Sequence, residues 1–173
     1  DQMTLLKALN ELNKKINYYA VLVGRGILKE NLLKYIKEKN LGKKIKLIKY
    51  TDNPLKLIKQ ADIFVLSSKF EGLPNVLLEA TVLKKFIISS NCPTGPREIL
   101  LNGRGGLLFK TGNHIDLSKK ILFYEMNKKK CNIMFKKTYK ELWRFDHKYN
   151  LEKYYNLIKW IFFLDQLIVL TKP

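Results

Sequence analysis

Two carboxylates, Glu71 and Glu79, stand with seven residues between them in SSKFEGLPNVLLEA, residues 67–80. Between them come Gly72, Leu73, Pro74, Asn75, Val76, Leu77 and Leu78. If Pro74 opens a helix, where a missing N–H costs nothing, the backbone N–H groups around it, between Gly72 and Val76, point out of its positive end. Phosphate or sugar oxygens are ligands that such an end takes. Gly72 permits close approach to the backbone. Asn75 and Glu79, four apart, then share one helix face, surrounded by the apolar Val76, Leu77, Leu78, Ala80, Val82 and Leu83. Two readings of Glu79 stand side by side. It is a carboxylate on an exposed helix face, or one at a cleft accepting hydrogen bonds from ligand hydroxyls, since burial without a partner is costly. Glu71, one turn earlier in the loop, is placed to face the same cleft.

The elements that must position these groups follow from periodicity. Residues 3–15 carry Leu5, Leu6, Leu9 and Leu12 at helical spacing, with Thr4 as a cap. YYAVLV (18–23) predicts a strand that stops at Gly24-Arg25-Gly26, and LLKYIKEKN returns to helix. KIKLIKY, DIFVLSS, FIISS and GGLLF predict further strands, separated by helical segments that include PLKLIKQ, NVLLEATVLK and REILLN. Two more helices begin near Asn113 and Lys128. Strands that alternate with helices and read as unbroken apolar runs predict a doubly wound α/β domain, a Rossmann-like parallel sheet with helices on both faces. The expected organisation is one such domain over residues 1–148, followed by an apolar helix over 149–173 that packs on this domain or on a missing one. A helix apolar on that many sides also suits a membrane interface.

In an open parallel sheet, ligands bind beyond the carboxyl ends of the strands. The loops there are residues 24–26, 50–53, 67–75 and 91–96. Gly24-Arg25-Gly26 lacks the full G-x-G-x-x-G run, so a tight turn explains it as well as a phosphate cradle does. Arg97, beside the cleft, can offset diphosphate charge. Glu98 suits the positive end of the helix opened by Pro96. Cys92 and Cys131 have no C-x-x-C spacing, and His114 and His147 no ligand spacing, so neither a disulfide framework nor a metal site is expected.

The 173 residues fit one ordinary domain, and 46% hydrophobic content excludes a disordered chain. No apolar run reaches the ~20 residues that span a bilayer. With 33 Lys+Arg against 15 Asp+Glu, the charge of +18 favours anionic partners: nucleic acid, acidic membrane or phosphorylated ligands.

At this point the chain resembles glycosyltransferase family 4 (group 1), retaining transferases of the GT-B type. FEGLPNVLLEA is similar to that family's E-x7-E signature, and VGRG before a helix to its V-G-x-G-P. YTDNPLKLIKQADIFVLSS resembles its sheet core, and SSNCPTGPREIL with GGLLF resembles a sub-group that makes cell-surface glycans. The likeness runs over roughly residues 3–145 and falls on the C-terminal domain of the pair that forms a GT-B enzyme, the nucleotide-sugar half. The resemblance implies that Glu71 touches the donor sugar and serves catalysis, and that Glu79 holds the ribose hydroxyls. Backbone amides at Gly72, Leu73, Pro74, Asn75 and Val76 would approach the sugar and diphosphate, with Gly24 and Arg97 nearby. Lys49, Tyr50 and Thr51 would flank the base. It further implies a nucleotide-diphosphate sugar, with uridine the commoner base, as donor substrate, and no cofactor or metal. The acceptor would be a surface polysaccharide or lipid-linked glycan, at the cytoplasmic face of the membrane.

The family's first strand in this domain, which carries an Arg and a Lys that neutralise the diphosphate, should precede residue 3. With it and the N-terminal domain absent, the fragment is expected to be inactive by itself. Ile27, Lys49, Lys84 and Phe86 also depart from the family pattern, the second of them in the base pocket. Two other readings are a basic nucleic-acid-binding α/β module and a UDP-sugar epimerase-like GT-B domain. Nucleic acid ranks low, because no RNP, KH or zinc-finger pattern accompanies the charge.

Overall fold

The structure, a computed structural model, describes the backbone of residues 1–169 and the side chains of residues 1–160. It separates into two units, Asp1–Tyr139 and a second from Lys140 onward.

In the first unit, helix α1 (Gln2–Leu12) is capped by Asp1, whose carboxylate accepts from the Thr4 N–H at 3.2 Å and from the Thr4 hydroxyl at 2.8 Å. Asp1, not Thr4, is therefore the cap. Strand β1 (Ala20–Val23) leads to α2 (Lys29–Glu38), and β2 (Ile45–Ile48) to α3 (Pro54–Gln60). Proline occupies the first turn of α3, and the Asn53 side chain accepts from the Lys56 N–H at 2.9 Å. Strand β3 (Ile63–Leu66), α4 (Asn75–Val82), β4 (Phe86–Ser90), α5 (Pro96–Ile99) and β5 (Leu107–Phe109) follow, then α6 (His114–Met126) and α7 (Lys128–Lys140). Each strand is shorter than its apolar run or equal to it, because the ladders end before the flanking residues do.

All pairings are parallel. β1 pairs with β2, in register Ala20↔Ile45, and β4 lies between β3 and β5, in registers Ile63↔Phe86 and Ile88↔Leu107. The strands are thus hydrogen-bonded as two sheets, β1-β2 and β3-β4-β5. α1 joins them. Its Ala8 and Leu12 enter the cluster containing Phe86, Ile88, Phe109, Leu117 and Cys131. Its Leu6 and Leu9 enter the cluster of Leu22, Leu32, Ile36, Leu41 and Ile45. β4 is buried at all five positions, so it is covered on both faces, as its unbroken apolar run requires.

In the second unit, a 3₁₀ turn at Leu142–Phe145 precedes α8 (His147–Val169). The helix expected over 149–173 starts two residues earlier, at His147, and residues 170–173 lie outside the described residues. Side chains 151–160 are all exposed, Leu151, Tyr154, Tyr155 and Ile158 among them. Among the described residues no helix is long and apolar enough to cross a membrane.

Candidate functional site

Parallel pairing brings the C-terminal ends of the strands to one side of each sheet, and the loops that follow β3 and β4 interlock there. The Ser90 hydroxyl donates to the Ser68 carbonyl at 2.6 Å, and the Thr94 hydroxyl donates to the carbonyl of Glu71. Thr94 holds a left-handed backbone, φ 54°, an uncommon state for a β-branched residue that its surroundings must impose. Gly95 follows at φ 77°, ψ −69°, and a Cβ there would fall on the Gly72 carbonyl and the Pro74 ring. Only glycine allows the two loops to close on each other at this point. Gly95→Ala is accordingly expected to cost about 1–3 kcal/mol, lowering Tm in a thermal melt by roughly 2–12 °C.

α4 begins at Asn75, with Pro74 as its cap rather than its first residue, and no side chain caps it. The Leu77 N–H donates to the Pro74 carbonyl at 2.9 Å, while helical geometry gives the N–H groups of Asn75 and Val76 no intrahelical acceptor. A Cβ at Gly72 would meet nothing within 4 Å. The open end of α4 is therefore accessible to an anion or a sugar oxygen.

Glu79 does not lie in a buried setting. α4 buries Leu77, Ala80 and Thr81, and the Thr81 hydroxyl donates to the Leu77 carbonyl at 2.8 Å. The opposite stripe of Asn75, Glu79 and Val82 is exposed. Helical spacing puts the apolar neighbours on other faces, so the run of Leu and Val did not bury the carboxylate. Glu71 is half-buried. Among the described residues neither carboxylate makes a side-chain hydrogen bond or ion pair, which leaves the acceptor capacity of both available.

After β1 and β2, the Gly24 N–H donates to the Ile48 carbonyl at 3.0 Å, extending the ladder. A Cβ at Gly24 or Gly26 would meet nothing, and neither has a positive φ, so backbone strain does not require glycine in this turn. Lys49 and Tyr50 are exposed, and the Thr51 hydroxyl accepts from the Asn53 N–H at 3.2 Å, shaping the entry to α3. The Arg97 Nε donates to Asn91 Oδ1 at 2.6 Å, which ties it to its own loop. Glu98 sits in the first turn of α5. Arg25 was missed as a candidate. Its guanidinium lies 4.9 Å from the centre of the Tyr50 ring, a contact between the ends of two strands that no local pattern announces. Among the described residues no cluster of His, Cys, Asp and Glu could hold a metal ion.

A parallel α/β core with a built rim of this kind is the C-terminal half of a GT-B fold. In support, it superposes with TM-score 0.70 on the C-terminal domain of a group 1 family glycosyl transferase from Francisella tularensis, at 22% identity, covering 82% of this chain and 76% of that one. It also matches Anabaena HepE in complex with UDP, with TM-score 0.81 at 19% identity over 91% of this chain and 44% of that one. Residues 1–141 match the family Glycosyl transferases group 1, and the chain belongs to it. An uncharacterised glycosyltransferase of Methanocaldococcus jannaschii is 39% identical over 100 residues, 57% of this chain and 25% of that protein. A Campylobacter jejuni N-acetylgalactosamine-N,N'-diacetylbacillosaminyl-diphospho-undecaprenol 4-alpha-N-acetylgalactosaminyltransferase is 34% identical over 99 residues, 57% of this chain and 27% of that protein. The chain therefore spans about a quarter of the length of these curated relatives.

Proposed function

We propose that this chain is the donor-binding domain of a retaining glycosyltransferase that moves a sugar from a UDP-sugar to a lipid-linked or surface glycan. The observation that carries the reading is the uncapped start of α4 between two carboxylates with no partner among the described residues, Glu71 in the loop before it and Glu79 one turn along its exposed stripe. The sugar-transferring relative, whose acceptor is a diphospho-undecaprenol glycan, supports the acceptor class. The structure of HepE with UDP supports the base.

The N–H groups of Gly72, Leu73, Asn75 and Val76 would bind sugar and diphosphate oxygens, where a helix's partial positive charge favours the leaving group. Glu79 would accept from both ribose hydroxyls, and charge-assisted bonds of this kind fix orientation as well as affinity. Glu71 would hold the donor sugar. The acceptor then attacks on the face that the diphosphate leaves, and the protein's part is positioning and charge stabilisation rather than a covalent intermediate.

The rest of the enzyme would complete the domain. In a doubly wound order the first strand lies between the second and the fourth, and that is the place between β1 and β3, whose ladders stop there. A strand upstream of α1 in that place would bring its cations to the rim. The N-terminal domain would supply the acceptor site and cover apolar side chains of α8, and basic surface would hold the enzyme against anionic lipid.

Calorimetric titration of the 173-residue chain with UDP, and with a single-stranded oligonucleotide at two salt concentrations, tests the reading. UDP is expected to bind, with affinity unchanged by EDTA. Loss of UDP affinity in EDTA would show that a metal is needed. No UDP affinity, with steeply salt-dependent oligonucleotide binding, would replace the reading by a nucleic-acid module.

A further inference from the structure

We infer that Arg25 reads the base of the nucleotide, selecting bases that present a ring carbonyl over bases that present an amino group in its place. The inference rests on the donor-domain reading and adds to it the residue that discriminates among donors.

A recess opens at the ends of β1 and β2. Leu22, Leu32 and Leu47 give it apolar walls, and Arg25, Lys29 and Lys49 bring its charge. No acidic side chain is among the described residues that line it. The recess thus offers apolar contact for a flat ring and hydrogen-bond donors at its margin. A ring with in-plane acceptors satisfies both, whereas an isolated phosphate would gain nothing from the leucines.

Among the three cations Arg25 is the one that rests on an aromatic ring. Its guanidinium carbon lies over Tyr50, 4.9 Å from the ring centre. Stacking on an aromatic face holds the planar fork without using its N–H donors. Gly24 and Gly26 on either side leave open space where a Cβ would stand, so the approach to Arg25 is not blocked by its neighbours. Lys29 and Lys49 carry their charges on flexible stems, which attract an anion but select poorly between acceptor patterns.

The chemistry of the fork then decides. Arginine has five donors and no acceptor, so it matches the keto oxygen of uracil, or the paired acceptors of guanine, and meets a donor at the amino group of cytosine or adenine. A donor facing a donor leaves both unpaired, and a site built to bond one group rejects its replacement for that reason.

The test compares UDP with CDP, which share the ribose and diphosphate, by titrating the 173-residue chain and its Arg25→Ala and Arg25→Lys variants, with inorganic pyrophosphate as a third probe. The unmodified chain is expected to prefer UDP by about tenfold or more. Arg25→Ala should bring the ratio to within about twofold by weakening UDP alone, and Arg25→Lys, which keeps the charge and loses the fork, should also lower it. Arg25 is exposed, so both variants should retain the native melting temperature. A UDP to CDP ratio that Arg25→Ala leaves unchanged overturns this inference and spares the donor-domain reading. Equal weakening of UDP, CDP and pyrophosphate assigns Arg25 to the phosphates and overturns it too. No binding of UDP by the unmodified chain overturns both.

Discussion

Alanine in place of Glu79 is expected to weaken UDP binding by about 10- to 100-fold, because hydrogen bonds to a charged group contribute roughly 1.5–3 kcal/mol. The same change should leave the fold intact. Glu79 lies on the exposed stripe of α4 and makes no bond within the chain among the described residues, and substitutions at such surfaces stay within about 0.5 kcal/mol. Separating the two readouts is what makes the experiment informative: calorimetry reports the lost affinity while a thermal melt reports an unchanged Tm. Glu79→Gln keeps the length and one carbonyl acceptor but not the charge, and should fall between the two. A Glu79→Ala chain that binds UDP as tightly as the original would remove the ribose contact from the proposal.

Glu71→Gln is expected to act on the reaction rather than on nucleotide affinity. In the complete enzyme, with its acceptor domain, kcat should fall by about 10²–10³, the scale on which removing one preorganised polar contact to a reacting group acts. UDP should bind within about twofold of the original, because in the proposal Glu71 meets the sugar and not the nucleotide. Loss expressed wholly in KM, with kcat intact, would instead mean that Glu71 binds substrate and transition state equally. The placement of Glu71 makes this split readable. Its carbonyl is held by the Thr94 hydroxyl and its loop is closed by Gly95 against Gly72 and Pro74, so the side chain can change while its backbone stays fixed.

Much of the fold was legible before any coordinates. The runs YYAVLV, DIFVLSS and FIISS each contain a strand, PLKLIKQ matches α3 residue for residue, and the loops with functional signals follow strands as parallel topology demands. These features are local: apolar period, a proline at a first turn, and glycine or asparagine at a break. Small errors were local as well. Thr4 has the residue type of a cap, whereas Asp1, three positions earlier, reaches the Thr4 N–H. Pro74 was placed one step inside α4 although it stands one step outside.

The environment of the site was less legible, because it depends on residues far apart in the chain. The residues around Glu79 leave an exposed face and a cleft wall equally open, and the rotation of α4 on β3 and β4 exposes it. Gly24-Arg25-Gly26 reads locally as a turn or a phosphate cradle, and nothing nearby in sequence announces that Arg25 meets Tyr50, 25 positions later.

The order of residues by itself therefore determined the alternation of strand and helix, the parallel class of the sheet, and the two acidic positions flanking a helix start. Those are consequences of side-chain period and backbone chemistry within a few residues. Packing alone decided that the strands divide into two ladders bridged by α1, that the loop of Glu71 is clasped by Thr94 and Gly95, and that Arg25 is laid on Tyr50. The reason is that each of these depends on which surfaces meet, and contact between distant segments is fixed by burial and steric fit across the whole domain.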